Sequence, residues 1–381
     1  MRSLLFKNVD VVTENEIVRN TSVRVENGEI SAISDRPAAA GEELDVKGAM
    51  LYPGFIDIHI HGSAGIDTNS ANTGDLMKLA GFLASRGVTA WVPTLVPDSD
   101  ENYRKAAAAI DGLAAIQEAA PPVAQAVGIH YEGVFANEKM CGALRPEYFK
   151  KFTGSETSQL PRLEEGVHLT TLAPEVENGI ALIEQLVREN WIVSIGHTRA
   201  GIDVLDDAFR AGARHLTHFY NAMTGLHHRD IGVVGWALRN EAATFDIIAD
   251  GIHVHPEMLD LACRLKTPEK VSLISDAILP AGLGDGDYEV WGEKVQVENG
   301  RTQNERGSIA GSVITMLDAV KRMLSLGFSP VEAAKMASLN PAKLLGLDNA
   351  RGSIEIGKRA DLVALSDAGE VVMTMVGGRV V

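Results

Sequence analysis

An α/β chain folded as a (β/α)8 barrel, with a small β domain supplied by both chain ends, is the fold that three features of the sequence predict. Eight apolar, β-rich segments alternate with segments of helical periodicity, both ends lack that periodicity, and 381 residues at 45% hydrophobic content suffice for one large core with a satellite. At the start, LLFKNVDVVT and ENEIVRNTSVRVENGEISAIS read as short strands joined by Asn, Glu and Gly turns, too little to close a core alone. RGSIEIGKRADLVALS and VVMTMVGGRVV at the other end alternate in the same way. The two ends are therefore expected to pair as a small β-sandwich domain, 1–52 plus 347–381, beside a barrel over 53–346. The barrel strands are predicted at FIDIHIH, VTAWVPTL, AVGIHYEG, VHLTTLAPE, IVSIGHT, RHLTHFYNA, ATFDIIADGIHV and VSLISDAIL. Between them, TGDLMKLAGFLASRG, NGIALIEQLVREN and HPEMLDLACRL carry apolar residues at three-to-four spacing, as helices that lay one face on a sheet do. After the eighth strand, GDGDYEVWGEKVQVENGRTQNERG reads as a β-hairpin excursion. Helices then resume at SVITMLDAVKRMLSLG and SPVEAAKMASLNPAKLLGL.

Charge and composition exclude several classes of partner. A net charge of −16, with no Lys/Arg-rich run carrying interleaved aromatics, argues against nucleic acid. It leaves room for a small anionic ligand held by one or two cations in a cleft. No run approaches the roughly 20 apolar residues that span a bilayer, and MRSLLFKNVDVV lacks a signal-peptide pattern, so a soluble cytoplasmic protein with no membrane partner is expected. The two cysteines, Cys141 and Cys263, are too few for a disulfide framework or a Cys-rich zinc site.

In a barrel of this kind, chemistry gathers at the C-terminal ends of the strands. His59 and His61 end the first predicted strand, Glu132 the third, His197 the fifth, His218 the sixth, His253 the seventh and Asp276 the eighth. Imidazoles and carboxylates converging from segments so far apart in sequence are a divalent-metal signature, whereas independent core histidines have no reason to share strand ends. The fold class is thus a TIM-like metallo-barrel. His59 and His61, two apart on a strand, share a face and can hold one ion. Asp57, one step deeper, either braces a ligand or satisfies barrel hydrogen bonds, with the second favoured. In HFYNAMTGLHHRDIG, Asn221 offers an amide, Arg229 a fork of donors and the backbone around Ala222 an N–H, together an anion site beside the metal mouth. His215, His227 and His228 are left as ordinary polar residues. There is no G-x-S-x-G elbow, P-loop or H-E-x-x-H, and GLGDGD lacks a following helix, so a metal-activated water is the remaining nucleophile.

PGFIDIHIHG, GIHYEGVFANEKMCGAL, SIGHT, HLTHFYNAM, ADGIHV, SDA and GSIAGS, in this order and spacing, resemble the amidohydrolase superfamily and, within it, the N-acetylglucosamine-6-phosphate deacetylases. The resemblance runs over essentially the whole chain. HxH marks only the superfamily, and HFYNAM with ADGIHV is more specific. Relatives that bridge two metals with a carboxylated lysine on the fourth strand are set apart, because no lysine lies between Lys151 and Lys266. The resemblance implies one or two divalent ions per subunit, zinc or iron first, manganese or cobalt after them. His197, His218 and Glu132 would bind the principal ion, and His59 and His61, with Glu132 bridging and Asp276 shared, would build a second site. It further implies hydrolysis of the acetamide of N-acetylglucosamine 6-phosphate, with Asp276 taking a proton from a metal-activated water and returning it to the departing amine. Phosphate would lie on Asn221, Ala222 and Arg229, the last reaching across a homodimer interface. His253 with the Asp250 to His253 turn would contact the sugar, and the backbone of Ile309 and Ala310 would close over it. Gly142, Ala143 and Leu144 border the substrate where relatives read G-A-H, so the histidine near the acyl carbonyl is leucine here. Val134 stands in place of a proline, and AILPAG in place of a run of small residues. N-acetylgalactosamine 6-phosphate or another N-acyl amino sugar is the alternative substrate. A silent sugar-phosphate sensor is the alternative class, but it should have lost a ligand or the base, and none is missing.

Overall fold

Parallel strands form at all eight predicted barrel positions: Phe55–Ile60, Val88–Leu95, Gly128–Phe135, Val167–Leu172, Ile192–Ile195, His215–Leu216, Thr244–Ile248 and Val271–Ile274. They are seen in a computed structural model that describes residues 3–35 and 42–381; residues 1–2 and 36–41 of the expected small domain lie outside the described residues. Each strand pairs with the next in chain order. The seam between last and first closes through the Asp276 amide, which donates to the His59 carbonyl at 2.9 Å, and the Ser275 hydroxyl, 2.5 Å from Asp57 Oδ2. Parallel neighbours need crossover connections, and the crossover helices cover the outer face. That is why the first three strands are buried at every residue and read as nearly continuous apolar runs.

The helices Thr73–Ser85, Gly179–Arg188 and Pro256–Lys266 fall on the predicted periodic segments. Asn72 begins the first by accepting from the amides of Gly74 and Asp75, two of the donors a helix start leaves unpaired. The last predicted helix is interrupted: Pro330–Ala334 and Asn340–Leu344 flank a π-helical turn, Lys335–Leu339. Pro341 has no N–H to donate back along the helix, and the wider turn before it accommodates the missing bond.

Strands from both chain ends share one sheet. Met50–Pro53 runs parallel to Ser3–Val12 on one side and antiparallel to Leu362–Leu365 on the other. Ile17–Glu26 and Glu29–Ile33 extend the sheet at one edge, Val371–Val376 and Arg379–Val380 at the other. Phe6, Val11 and Val23 from the start of the chain pack with Leu51, Leu362 and Met375 into a core separate from that of the barrel. The excursion after the eighth strand is a three-stranded meander, Gly286–Val290, Glu293–Glu298 and Arg301–Asn304, one strand more than the hairpin expected. Asn299 and Gly300, both at positive φ, make the tight second turn that adds the extra strand.

Beneath the strand ends, Thr94, His130, Thr171, Thr217 and Ser194 form a buried hydrogen-bonded chain with steps of 3.3, 2.8, 2.7 and 2.6 Å. Burial, then the neighbouring His59, holds His130 well below the ordinary imidazole range, so the ring stays neutral and can donate at one nitrogen while accepting at the other. His168, on the fourth strand, accepts from the Leu163 amide at 2.9 Å through Nε2. Burial and then Arg162 hold its pKa down at about 4. An unfolded chain takes up this proton near pH 6.5 and the folded one only near 4, so between those values the unfolded state binds more protons and stability rises with pH. In His168→Gln the amide oxygen accepts the same bond without titrating. Melting curves from pH 4 to 7 should show a shallower acid loss for this variant than for the wild type, and equal slopes would dismiss the assignment.

Candidate metal centre

Five barrel strands deliver side chains to one point. His59 lies on the first and His61 just beyond its end, Glu132 lies on the third, and His197, His218 and Asp276 each stand two residues beyond the fifth, sixth and eighth. Those last three have φ of 48°, 34° and 47°. A non-glycine residue is strained in this left-handed region, and the sharp departure from the strand aims its side chain across the barrel mouth.

Glu132 is at the centre. Its Oε1 lies 3.0 Å from His197 Nε2 and 2.9 Å from His218 Nε2, and its Oε2 lies 3.1 Å from His61 Nε2. Asp276 Oδ1 is 3.4 Å from His59 Nε2 and 3.3 Å from His61 Nε2. The Nε2 atoms of His59 and His61 are 3.1 Å apart, and so are those of His197 and His218. His61 Nδ1 faces the Thr94 carbonyl at 3.2 Å and His197 Nδ1 the Met140 carbonyl at 2.8 Å. A carbonyl only accepts, so both rings carry a proton on Nδ1, and in the neutral ring Nε2 turns a lone pair to the centre.

Lone pairs gathered on two carboxylates call for a cation. A zinc–nitrogen bond of about 2.1 Å at tetrahedral angles sets two nitrogens about 3.4 Å apart, close to the spacing of each histidine pair. The donors fall into two sets, His59, His61 and Asp276, and Glu132, His197 and His218, all buried. Electrostatics agree with geometry. Burial opposes charge on His61, yet Asp276 and Glu132 push it up to about 10; burial likewise opposes charge on His218, yet Glu132 leads in pushing it up to about 9. Against its own burial, Glu132 is held well below the carboxylate range by His59, His197 and His218, and Asp276 is lowered by His59 and His61. The cluster favours bound positive charge, as protons or as the metal ions that replace them.

Asp57 touches no ring. Its Oδ1 accepts from the amides of Ser275 at 3.3 Å and His59 at 3.4 Å, so it ties the first strand to the eighth, and burial pushes its pKa up to about 6. His215, read from sequence as ordinary, is also part of the support: its Nε2 lies 3.0 Å from Asp246 Oδ2, while Asp246 Oδ1 accepts from the His218 amide at 2.5 Å.

A cavity of about 300 Å³ opens over the centre. Asn221, Ala222 and His253 line it, as do Ala143, Leu144, Ile309 and the unpredicted Trp291. Three predicted contacts lie outside that lining. Asp250 sits behind His253, 2.6 Å from its Nδ1, and accepts from the His253 amide at 2.8 Å, so it fixes the ring. Ala310 donates its amide to Thr302 Oγ1 at 3.1 Å and packs with Ile278, Val290 and Val295, leaving Ile309 as the member of that pair that faces the cavity. Arg229 is exposed, with Nη1 2.8 Å from His228 Nε2.

With this geometry in place, comparison with known proteins gives a consistent answer: the model of the amidohydrolase family matches residues 50–381. The chain belongs to the amidohydrolase family. This amidohydrolase is 37% identical to the N-acetylglucosamine-6-phosphate deacetylase of Bacillus subtilis (strain 168), across 99% of its own chain and 97% of the relative's. It is also 37% identical to the N-acetylgalactosamine-6-phosphate deacetylase of Escherichia coli O157:H7, across 97% of each. A mutant N-acetyl-D-glucosamine-6-phosphate deacetylase from Mycobacterium smegmatis, solved in complex with N-acetyl-D-glucosamine-6-phosphate, superposes with a TM-score of 0.89 at 28% identity, over 100% of this chain and 99% of that one. Among its described residues the amidohydrolase has no helix long and apolar enough to cross a membrane.

Proposed function

We propose that the chain hydrolyses the N-acetyl group of N-acetylglucosamine 6-phosphate, giving glucosamine 6-phosphate and acetate. One observation carries the reading: of six metal-type ligands gathered around Glu132, five (His61, Glu132, His197, His218 and Asp276) line a cavity whose wall also includes Asn221, Ala222 and His253, and His59 is buried beneath them. Glu132, His197 and His218 would hold one ion, and His59, His61 and Asp276 a second, with Glu132 reaching both. Bound there, divalent ions lower the pKa of a water from 15.7 to about 7 and polarise the acyl carbonyl. Asp276 takes the proton released as the water oxygen bonds to the carbonyl carbon, then delivers it to the amine as the C–N bond breaks. The Asn221 side chain and the Ala222 backbone receive the phosphate, and His253, steadied by Asp250, meets the sugar. Imidazole with carboxylate suits zinc or iron first, and manganese or cobalt also.

Arg229 belongs to this reading through a homodimer, in which it would complete the phosphate site of the partner. Leu226, three residues before Arg229, is an exposed apolar side chain that such an interface would cover. Light scattering should give twice the chain mass. The two free thiols suit a reducing cytoplasm.

Acetate release tests the activity. The gluco substrate should exceed its galacto epimer in kcat/KM by about 10-fold, and removal of the phosphate should cost about 100-fold, the worth of one or two charge-assisted hydrogen bonds. A reversed epimer ratio would establish the second reading, an N-acetylgalactosamine 6-phosphate deacetylase, which the Escherichia coli relative and the substitution at Leu144 favour. Chelation should abolish turnover, and added zinc or iron should restore it with two ions per chain by elemental analysis.

A further inference from the structure

We propose that Trp291 sets the length of acyl group the enzyme accepts, acting as a partition between the catalytic cavity and a second cavity behind it. The proposal rests on the deacetylase reading and adds the residue that selects the acyl group. Trp291 lines both spaces, the cavity over the metal centre and a neighbouring one of about 450 Å³. Its indole stands edge-on to His61, ring centroids 5.2 Å apart, and its Nε1 donates to Asp67 Oδ2 at 2.8 Å.

Trp291 and Gly292 are the two turn residues between Gly286–Val290 and Glu293–Glu298, with φ of 55° and 80°. Tight turns of this kind prefer Asn, Asp or Gly at the first position, because a bulky side chain is strained there. A tryptophan persists in that conformation only where its surroundings hold it, and strain of this sort gathers at ligand sites. Here the holding contacts are Asp67 and His61, one facing each cavity. The meander is anchored on the same side by Arg306, whose Nη2 donates to the Ala143 carbonyl at 2.8 Å and to the Leu144 carbonyl at 3.3 Å.

The direction of the acyl group follows from the placement of the other groups. The scissile carbonyl must lie over the metal ligands, and the phosphate end of the sugar is assigned to Asn221 and Ala222, beyond the sixth strand. His61 directly follows the first strand, three strands away around the barrel, so the acyl chain extends toward His61 and meets Trp291. Leu144 flanks the same cavity and offers no donor, and the indole N–H is already taken by Asp67. The wall therefore presents apolar surface to the acyl group on this side of the cavity. Removing the indole would give a longer acyl chain the volume that the ring now fills, next to a second cavity whose lining, Asp67, Asp98 and Arg145 included, is largely polar.

The test uses the metal-loaded enzyme with N-acetyl, N-propionyl and N-butyryl glucosamine 6-phosphate, reading kcat/KM for carboxylate release. In the wild type the acetyl compound should exceed the butyryl one by about 100-fold, within the range that methylene discrimination reaches. Trp291→Ala should bring that ratio to within about threefold of unity by raising the butyryl rate relative to the acetyl rate. Trp291→Phe, which keeps the wall and loses only the bond to Asp67, should hold the wild-type ratio. Trp291→Leu gives an intermediate ratio and serves if the alanine variant does not fold, with melting temperature and metal content recorded for each. A uniform drop across all three substrates, or a wild type indifferent to chain length, would overturn the proposal while leaving the deacetylase reading intact. A wild type that releases carboxylate from none of them would sink both.

Discussion

Glu132→Gln should yield a folded protein that loses its metal on gel filtration and releases acetate at least about 10³-fold more slowly than the wild type. The substitution preserves volume and removes one negative charge from a point within 3.5 Å of the Nε2 atoms of all four histidines. The amide has a single oxygen to offer where the carboxylate has two, so it cannot serve both donor sets, and its NH₂ would face imidazole groups selected to bind a cation. The fold should tolerate the change, because the hydrogen bonds that hold His61 and His197, to Thr94 and Met140, do not involve Glu132. Elemental analysis and acetate assays on the same preparation provide the check. Two tightly held ions with activity within tenfold of wild type would end the bridging assignment.

Asp276→Asn separates ion binding from proton transfer. Turnover should fall about 10³-fold, in the middle of the range for loss of a general acid–base group, with KM little changed and ions still present. Asn is the substitution least disturbing to the backbone here, since φ is 47° and Asn is among the few residues that adopt the left-handed region readily. Its side-chain oxygen can still face His59 and His61, but it cannot accept a proton near neutral pH. The acid limb of the kcat profile should disappear with the carboxylate. Turnover above about a tenth of wild type would show that another group moves the proton.

The eight strands were legible because parallel sheets covered by helices leave apolar runs, and the ligand residues because polar side chains interrupt those runs at one end. Glu132 in GIHYEG and Asp276 in SDA are visible by the same logic. What stayed hidden depends on which way a side chain turns after its strand ends. Ala310 and Ile309 are neighbours, yet one amide is spent on Thr302 while the other residue faces the cavity. Asp250 carries the same charge as Asp276 and sits at an equivalent strand end, but its carboxylate is turned onto His253. Asp246 could have been suspected, as a carboxylate in the apolar run ATFDIIADG, and with it His215. Trp291 was the deepest omission: the sequence places it in an excursion that looks peripheral, and only the return of that meander over the mouth brings its tip against His61.

The sheet shared by the two chain ends has a consequence for how the molecule is made. Met50–Pro53 leaves the ribosome roughly 300 residues before its partner Leu362–Leu365, a delay of about 15 to 60 s at 5–20 residues per second. Through that interval the inner edge of the N-terminal strands has unpaired amides and carbonyls and an uncovered apolar face, while the barrel forms behind it. An open strand edge is a template for pairing with other chains. Aggregation of nascent protein should therefore depend on events at the distal end: truncation before Leu362 is expected to leave a barrel with an exposed edge, more damaging to yield during synthesis than to the chemistry of the mouth.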